Sequence, residues 1–235
     1  MKIIRTGIPG LDGLFAHGGY PEGNSILVVG GPGSGKSIFG MQYLYSGATE
    51  YEENGVYITF EEPPEKIKRN MKAFGWDLDA LEEEEKLIIM DAVDYIVRDD
   101  IDTDTLKEGL DVDNLVANLE EAVSAINAKR LVIDSLAVMN LYAKDEFEKR
   151  RKLLKLSHHM SSKDVTSIII TEAKSSNIGI SEFPLETYMF DGMITLRLDP
   201  ESQLRKISVR KMRGTKHVVG SFKFSINSGG IELSA

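Results

Sequence analysis

Cysteine is absent from the 235 residues. That excludes disulfides, thiolate zinc sites and a cysteine nucleophile. Long hydrophobic runs are also missing, the longest being short segments such as Ile26–Val29 and Ile168–Ile170. A signal peptide and a transmembrane helix are not expected, so the reading is a soluble, cytoplasmic protein. A basic excess is lacking too: 28 Lys and Arg face 37 Asp and Glu, a net charge of −9. A generic sheath around nucleic acid does not fit that balance. No internal repeat, low-complexity linker, HExxH, EF-hand loop or nucleophile elbow occurs. The expectation is one domain over residues 1–235.

The charge that is present is uneven. Asp77–Glu121 holds 17 acidic and 3 basic residues, a net of −14. Arg205–Lys223 holds 7 basic residues and no acidic one. Two solvated faces would account for this. So would a basic segment that meets an anion, either a neighbouring subunit's nucleotide or a nucleic acid.

Apolar spacing predicts strands at Ser25–Val29, Gly55–Phe60, Lys86–Met90, Arg130–Asp134 and Val165–Thr171. Helices are predicted at Lys36–Glu53, Pro64–Phe74, Leu115–Ala128 and Glu146–Ser162. Met1–Glu22 reads as loops with one short helix around Leu11–Phe15. Asp94–Asp113 has no period and reads as an exposed acidic insertion. Ala173–Met189 reads as a long loop. Three strands then follow without helices, at Gly192–Leu198, Leu204–Met212 and Ser221–Ile226. The fold class is therefore α/β: a mostly parallel central sheet with helices on both faces and a C-terminal antiparallel extension.

Gly30-Gly31-Pro32-Gly33-Ser34-Gly35-Lys36-Ser37 fits G-x-x-x-x-G-K-[ST] at every fixed position. Glycines let a backbone turn with positive φ and bring its N–H groups against phosphates. The helix that follows, through Ile38, adds its positive end. Lys36 is a mobile charge for the β- and γ-phosphates, and Ser37 offers a hydroxyl to Mg²⁺.

A second metal anchor should end a neighbouring strand. Asp134, after Leu131-Val132-Ile133, has that position, and Asp91 is its rival. Hydrolysis also needs a base that orients water. Glu61 and Glu62 follow the strand Gly55–Phe60, where such a site collects its side chains. The same pair could instead cap the helix Pro64–Phe74.

Thr6-Gly7-Ile8-Pro9-Gly10-Leu11-Asp12, the phosphate loop, Thr59-Phe60-Glu61-Glu62, Phe74-Gly75-Trp76-Asp77-Leu78 and Lys211-Met212-Arg213-Gly214-Thr215-Lys216-His217 occur in that order. Together they resemble the single-domain archaeal relatives of the circadian-clock ATPase KaiC, within the RecA/RadA superfamily. The resemblance runs from about Thr6 to Leu233. It implies a RecA-like P-loop ATPase core that binds ATP and Mg²⁺ between the subunits of a homo-oligomeric, hexameric ring.

The resemblance assigns Glu61 and Glu62 as paired catalytic glutamates, with Glu61 favoured as base. It implies that Lys211 and Arg213 reach the γ-phosphate of the adjacent subunit and that His217 lies near the same nucleotide. The alternative for Lys211 and Arg213 is an exposed strand of alternating charge. Thr171-Glu172 falls where the superfamily has a γ-phosphate sensor. The clock protein's autophosphorylating half carries an adjacent Ser-Thr pair, whereas Leu185-Glu186-Thr187-Tyr188 stands here. Thr187 alone could accept a phosphoryl group.

Three functions compete at this point: a regulatory ATPase ring with a protein partner, a DNA-handling ATPase, and a nucleotide-binding scaffold. The loops that would meet DNA, Leu136–Lys144 and Ala173–Met189, carry few cations, which disfavours the second. No base-reading motif separates ATP from GTP. Trp76 is expected to pack on the core, and His158 and His159 point about 100° apart on one helix, so they cannot share a metal.

Overall fold

In a computed structural model the described residues are 1–92, 96–97, 109–110, 112–136, 151, 155, 164–173, 189–199 and 201–234. The elements are β1 (Ile3–Ile4), β2 (Tyr20–Pro21), β3 (Ser25–Gly30), α1 (Lys36–Glu50), β4 (Gly55–Thr59), α2 (Pro64–Met71), α3 (Leu78–Glu83) and β5 (Leu87–Asp91). They continue with β6 (Ile96–Val97), β7 (Gly109–Leu110), α4 (Val112–Ala125), β8 (Arg130–Asp134), β9 (Thr166–Glu172), β10 (Gly192–Leu198), β11 (Arg205–Met212), β12 (Phe222–Asn227) and β13 (Gly230–Leu233).

Nine strands form one sheet in the order β13-β12-β11-β10-β3-β9-β8-β4-β5. From β10 to β5 every pairing is parallel. From β10 to β13 every pairing is antiparallel. The expected fold class is thus the observed one. β1 pairs with β2, and β6 with β7, as separate two-stranded ladders.

All six residues of β3 are buried. Strand side chains alternate between faces, so a doubly covered strand must be apolar throughout. Ile26 and Val28 join a core with Phe39, Met41, Tyr43 and Leu44 of α1. Leu27 and Val29 join a second core with Leu115, Leu119 and Val123 of α4. Trp76 belongs to the first core and stacks on Tyr45 with ring centroids 5.4 Å apart.

Helix α1 ends at Glu50, not Glu53. Glu52 takes a left-handed φ of 56°, which turns the chain out of the helix. Glu53 is thereby released to bond the guanidinium of Arg130 at 2.6 and 2.8 Å. Arg130 is fully buried beneath α1. A Cβ on Gly47 would fall 2.4 Å from its Cδ, so only glycine permits this approach. Helix α2 stops at Met71 and tightens to a 3₁₀ turn over Lys72–Phe74. No described helix is long and apolar enough to cross a membrane. The predicted helix Glu146–Ser162 falls largely outside the described residues, as does most of the acidic insertion Asp94–Asp113.

Candidate active site

The phosphate loop joins the end of β3 to the start of α1. Gly33 and Gly35 hold φ of 69° and 97°, a left-handed backbone that glycine adopts without strain, and α1 begins at Lys36. Around Gly31 there is open space beside Cα. Pro32, Gly33 and Ser37 are exposed, while Ile38 packs on the α1-side core. Ser34 is buried, and its hydroxyl has no protein partner. The Lys36 ammonium arches back across the loop and donates to the Gly31 carbonyl at 3.0 Å.

Strand order sets the two candidate metal anchors at different distances from the phosphate loop. Thr59 of β4 pairs with Asp134 of β8 on one side and with Asp91 of β5 on the other. All three stand at one level of the sheet. β8 is two strands from β3 and β5 is four. At about 4.8 Å per strand, Asp134 is roughly 10 Å from the phosphate-loop strand and Asp91 roughly 19 Å. Asp134 is the residue within reach of α1's first turn.

The Asp134 carboxylate is held closely. Tyr57 donates its hydroxyl to Oδ2 at 2.6 Å, and the Ser37 hydroxyl lies against the same carboxylate. Burial raises its pKa above the ordinary 3.8; the Ser37 and Tyr57 hydroxyls pull it back, the Glu61 charge raises it, and the Lys36 charge lowers it. A cavity of about 210 Å³ opens here, lined by Ser37, Tyr57, Thr59, Glu61, Glu62, Ile67 and Asp134.

The donor set suits Mg²⁺. One hydroxyl and one carboxylate are hard oxygen donors, and Mg²⁺ takes few protein ligands when phosphates and water complete its shell. Among the described residues no cluster of three His, Asp or Glu could cage a metal unaided.

Glu61 and Glu62 diverge. The Ser135 hydroxyl donates to Glu61 Oε1 at 2.7 Å, which ties Glu61 to the end of β8. Glu62 pairs with Lys66 one turn into α2 at 2.7 Å. Neither caps the helix: α2 has Pro63 at its N-cap with no side-chain cap bond. Instead Thr59 folds the turn, donating to the Glu62 carbonyl at 2.7 Å and accepting from the Glu62 amide at 3.2 Å.

Lys211 and Arg213 lie elsewhere. Lys211 pairs with Met193 and Met212 with Gly192, at the first residues of β10. Gly192 in turn pairs with Ile26 near the start of β3, whereas Leu196 pairs with Gly30 beside the phosphate loop. Four residues at about 3.3 Å separate the two levels by roughly 13 Å. Arg213 contacts Asp191 at 3.3 Å, and Asp191 also accepts from the Ser25 amide at 3.1 Å, at the foot of β3. The Lys211 ammonium donates to the Phe190 carbonyl. Burial, and then the Arg213 charge, hold its pKa below the ordinary value.

His217 is half-buried and faces Phe15 in a short antiparallel bridge. Hydrogen bonds from Ala16 to Lys216 and from Val218 to Leu14, at 2.9 and 2.8 Å, fasten it there. Thr171 and Glu172 pair with Val29 and Gly30, beside the phosphate loop. Lys144, Phe183, Thr187, Tyr188, His158 and His159 lie outside the described residues.

Two side chains in the cluster carry no motif signal. Tyr57 reads from sequence as strand filler, and Ser135 as the residue after a strand. The available clue to Tyr57 is a phenol between Val56 and Ile58 in a buried strand, since a buried hydroxyl needs a partner.

Comparison with known proteins gives the family of the chain. The family described as "ATPase: KaiC" matches residues 4–235. A UPF0273 protein of Methanocaldococcus jannaschii is 38% identical over 235 residues, covering 98% of this chain and 96% of that one. The circadian clock oscillator protein KaiC of Parathermosynechococcus lividus is 35% identical over 231 residues, 97% of this chain. The chain spans only 42% of that relative's length. The crystal structure of a KaiC-like protein from the hyperthermophilic archaeon Pyrococcus horikoshii superposes with a TM-score of 0.85 at 36% identity, covering 100% of this chain and 99% of that one. With its phosphate loop and tip carboxylates on a RecA-like sheet, the chain belongs to the KaiC family of ATPases.

Proposed function

We propose that this chain is a Mg²⁺-dependent ATP hydrolase that works as a ring of identical subunits, six in number, with ATP held between neighbours. Residues 1–235 would act as a single domain in the cytoplasm. The ring's nucleotide state would be its output, read by a protein partner. The observation that carries the reading is the division of the site. Ser37, Asp134 and Glu61 gather at one end of the parallel strands, and Lys211 and Arg213 stand at the other.

Each residue then has a task. The loop amides and Lys36 bind and orient the triphosphate. Ser37 and Asp134 would hold Mg²⁺, the latter through a water, and the ion would offset charge on the β- and γ-phosphates. Glu61 accepts the proton of the attacking water. Its bond to Ser135 aims the carboxylate, and Glu62, turned toward Lys66, supports the turn. Arg213 and Lys211 of a neighbour would stabilise the γ-phosphoryl charge in the transition state, with His217 near the same nucleotide. Turnover would then depend on assembly.

The test is steady-state ATP hydrolysis with Mg²⁺, with and without single-stranded DNA, at low and moderate salt. The expected result is slow hydrolysis indifferent to DNA. Glu61→Gln should lose hydrolysis and keep ATP binding. Stimulation by DNA of about tenfold (~1.4 kcal/mol off the barrier) that fades with salt would replace the regulatory reading with a DNA-handling one. ATP binding without measurable turnover would leave a scaffold.

A further inference from the structure

We propose that Tyr57 is a positioning residue for the metal site: its hydroxyl fixes the orientation of Asp134 and so sets the affinity of the nucleotide-bound site for Mg²⁺. This rests on the reading of Asp134 as the Mg²⁺ anchor. Tyr57 is 1% exposed, and its ring lies in the α1-side core. A phenylalanine ring would bury the same apolar surface. The hydroxyl therefore serves no packing purpose, and burying it is unfavourable unless it is bonded.

The hydroxyl meets Asp134, to which it donates, and also lies against the Ser37 hydroxyl. Tyr57 pairs with Val132, and Asp134 stands two residues further along β8 on the same face. Such diagonal neighbours are about 7–8 Å apart, which suits a long aromatic side chain. The bond to Oδ2 is 2.6 Å, in the range of charge-assisted O–H···O⁻ bonds. A carboxylate's terminal torsion is broad and roughly two-fold, so without a fixed donor the plane of Asp134 is weakly set. Tyr57 selects one plane, and in it the carboxylate also meets the Ser37 hydroxyl at the start of α1.

Two effects oppose. The donor draws charge from the carboxylate, which weakens attraction to a cation. It also fixes the direction in which a metal-bound water is accepted. Loss of such outer partners lowers metal affinity by about tenfold or more, so orientation wins.

The test reads binding rather than turnover. Mg²⁺ is titrated into full-length protein with a fluorescent ATP analogue, for wild type, Tyr57→Phe, Asp134→Asn and the double variant. The expected result is that Tyr57→Phe keeps Mg²⁺-free nucleotide binding and needs about tenfold more Mg²⁺ for the half-maximal change. Adding it to Asp134→Asn should give no further shift. An unchanged or lowered Mg²⁺ midpoint overturns the inference. So does loss of Mg²⁺-free binding, or an equal shift in both backgrounds, since each marks a packing role. A wild type whose nucleotide binding ignores Mg²⁺ overturns the metal reading itself and the inference with it.

Discussion

The hydroxyl of Ser135 donates a 2.7 Å hydrogen bond to Oε1 of Glu61, so two chain segments leaving adjacent strands converge on one carboxylate. The backbones are stitched one step earlier, where the Phe60 amide donates to the Asp134 carbonyl at 2.8 Å. Ser135→Ala would keep that stitch and release only the side chain of Glu61. A base that wanders from its water slows the chemical step without weakening the grip on phosphates. We expect kcat to fall about tenfold, or ~1.4 kcal/mol, with KM for ATP unchanged. Initial rates over a range of ATP concentrations check this.

Placement of the phosphate loop and Arg213 at opposite ends of the sheet leads to a mixing experiment. A Lys36→Ala subunit lacks a working loop but still presents Arg213. An Arg213→Ala subunit is the reverse. Each alone should be nearly inactive. Equal mixing should restore activity at interfaces that pair a good loop with a good arginine, about a quarter of those in a randomly mixed ring. No recovery after mixing would overturn the reading that Arg213 serves a neighbour's phosphate loop.

Arg130 has no exposed side-chain surface, and Glu53 has 15%. The guanidinium also donates to the Tyr43 carbonyl at 2.6 Å and lies 4.4 Å from the Tyr43 ring centroid. Glu53→Ala leaves a buried charge without its counterion, which costs about 3 kcal/mol. The urea midpoint should fall with little change in slope. Replacing both residues by apolar ones of similar size should recover most of the loss, because two charges no longer need removal from water.

Asp134 supplies a pH test whose sign follows from burial. Its carboxyl titrates above the ordinary 3.8 because burial disfavours the anion. Over the interval between these values the folded chain binds more protons than the unfolded one, so this residue lowers stability as pH rises through it. Asp134→Asn removes that effect and still accepts from Tyr57. The variant's thermal midpoint, measured without nucleotide, should exceed that of wild type at pH 7. The gap should shrink as the pH falls toward 4.

Elements with a strong local signal were legible from sequence. β8 matches its predicted bounds at Arg130–Asp134, and β10 matches at Gly192–Leu198, because buried apolar runs have sharp polar ends. Short elements were not. α3 has six residues and is set by Asp77, whose carboxylate accepts from the Ala80 amide at 3.2 Å. Six residues hold too little period to see. β13 carries a glycine and a glutamate and exists because β12 offers it an edge. At the site, the phosphate loop announces itself because its backbone demands glycine. Asp134 is favoured over Asp91 already in the sequence, as the acid that ends Leu131-Val132-Ile133; its distance from the phosphate loop needed the strand order, which no local pattern encodes. Tyr57 and Ser135 needed tertiary geometry, since each acts on a residue 74 or 77 positions away.

Helix α1 and strand β8 touch at both of their ends. Near the start of the helix, Ser37 meets Asp134 at the tip of the strand. Further along, Tyr43 and the residues after the helix clamp Arg130 at the strand's foot. Two bars fastened at both ends behave as a splint. Force applied by phosphates at the loop cannot rotate the helix against the strand without breaking a buried ion pair. A pull at the loop therefore moves α1 and β8 together, and bending falls to segments outside the pair. The turn carrying Glu61 and Glu62 is nearest, tied in by the Ser135 and Thr59 hydroxyls. Hydrogen exchange after nucleotide addition should thus change most at that turn and least along β8.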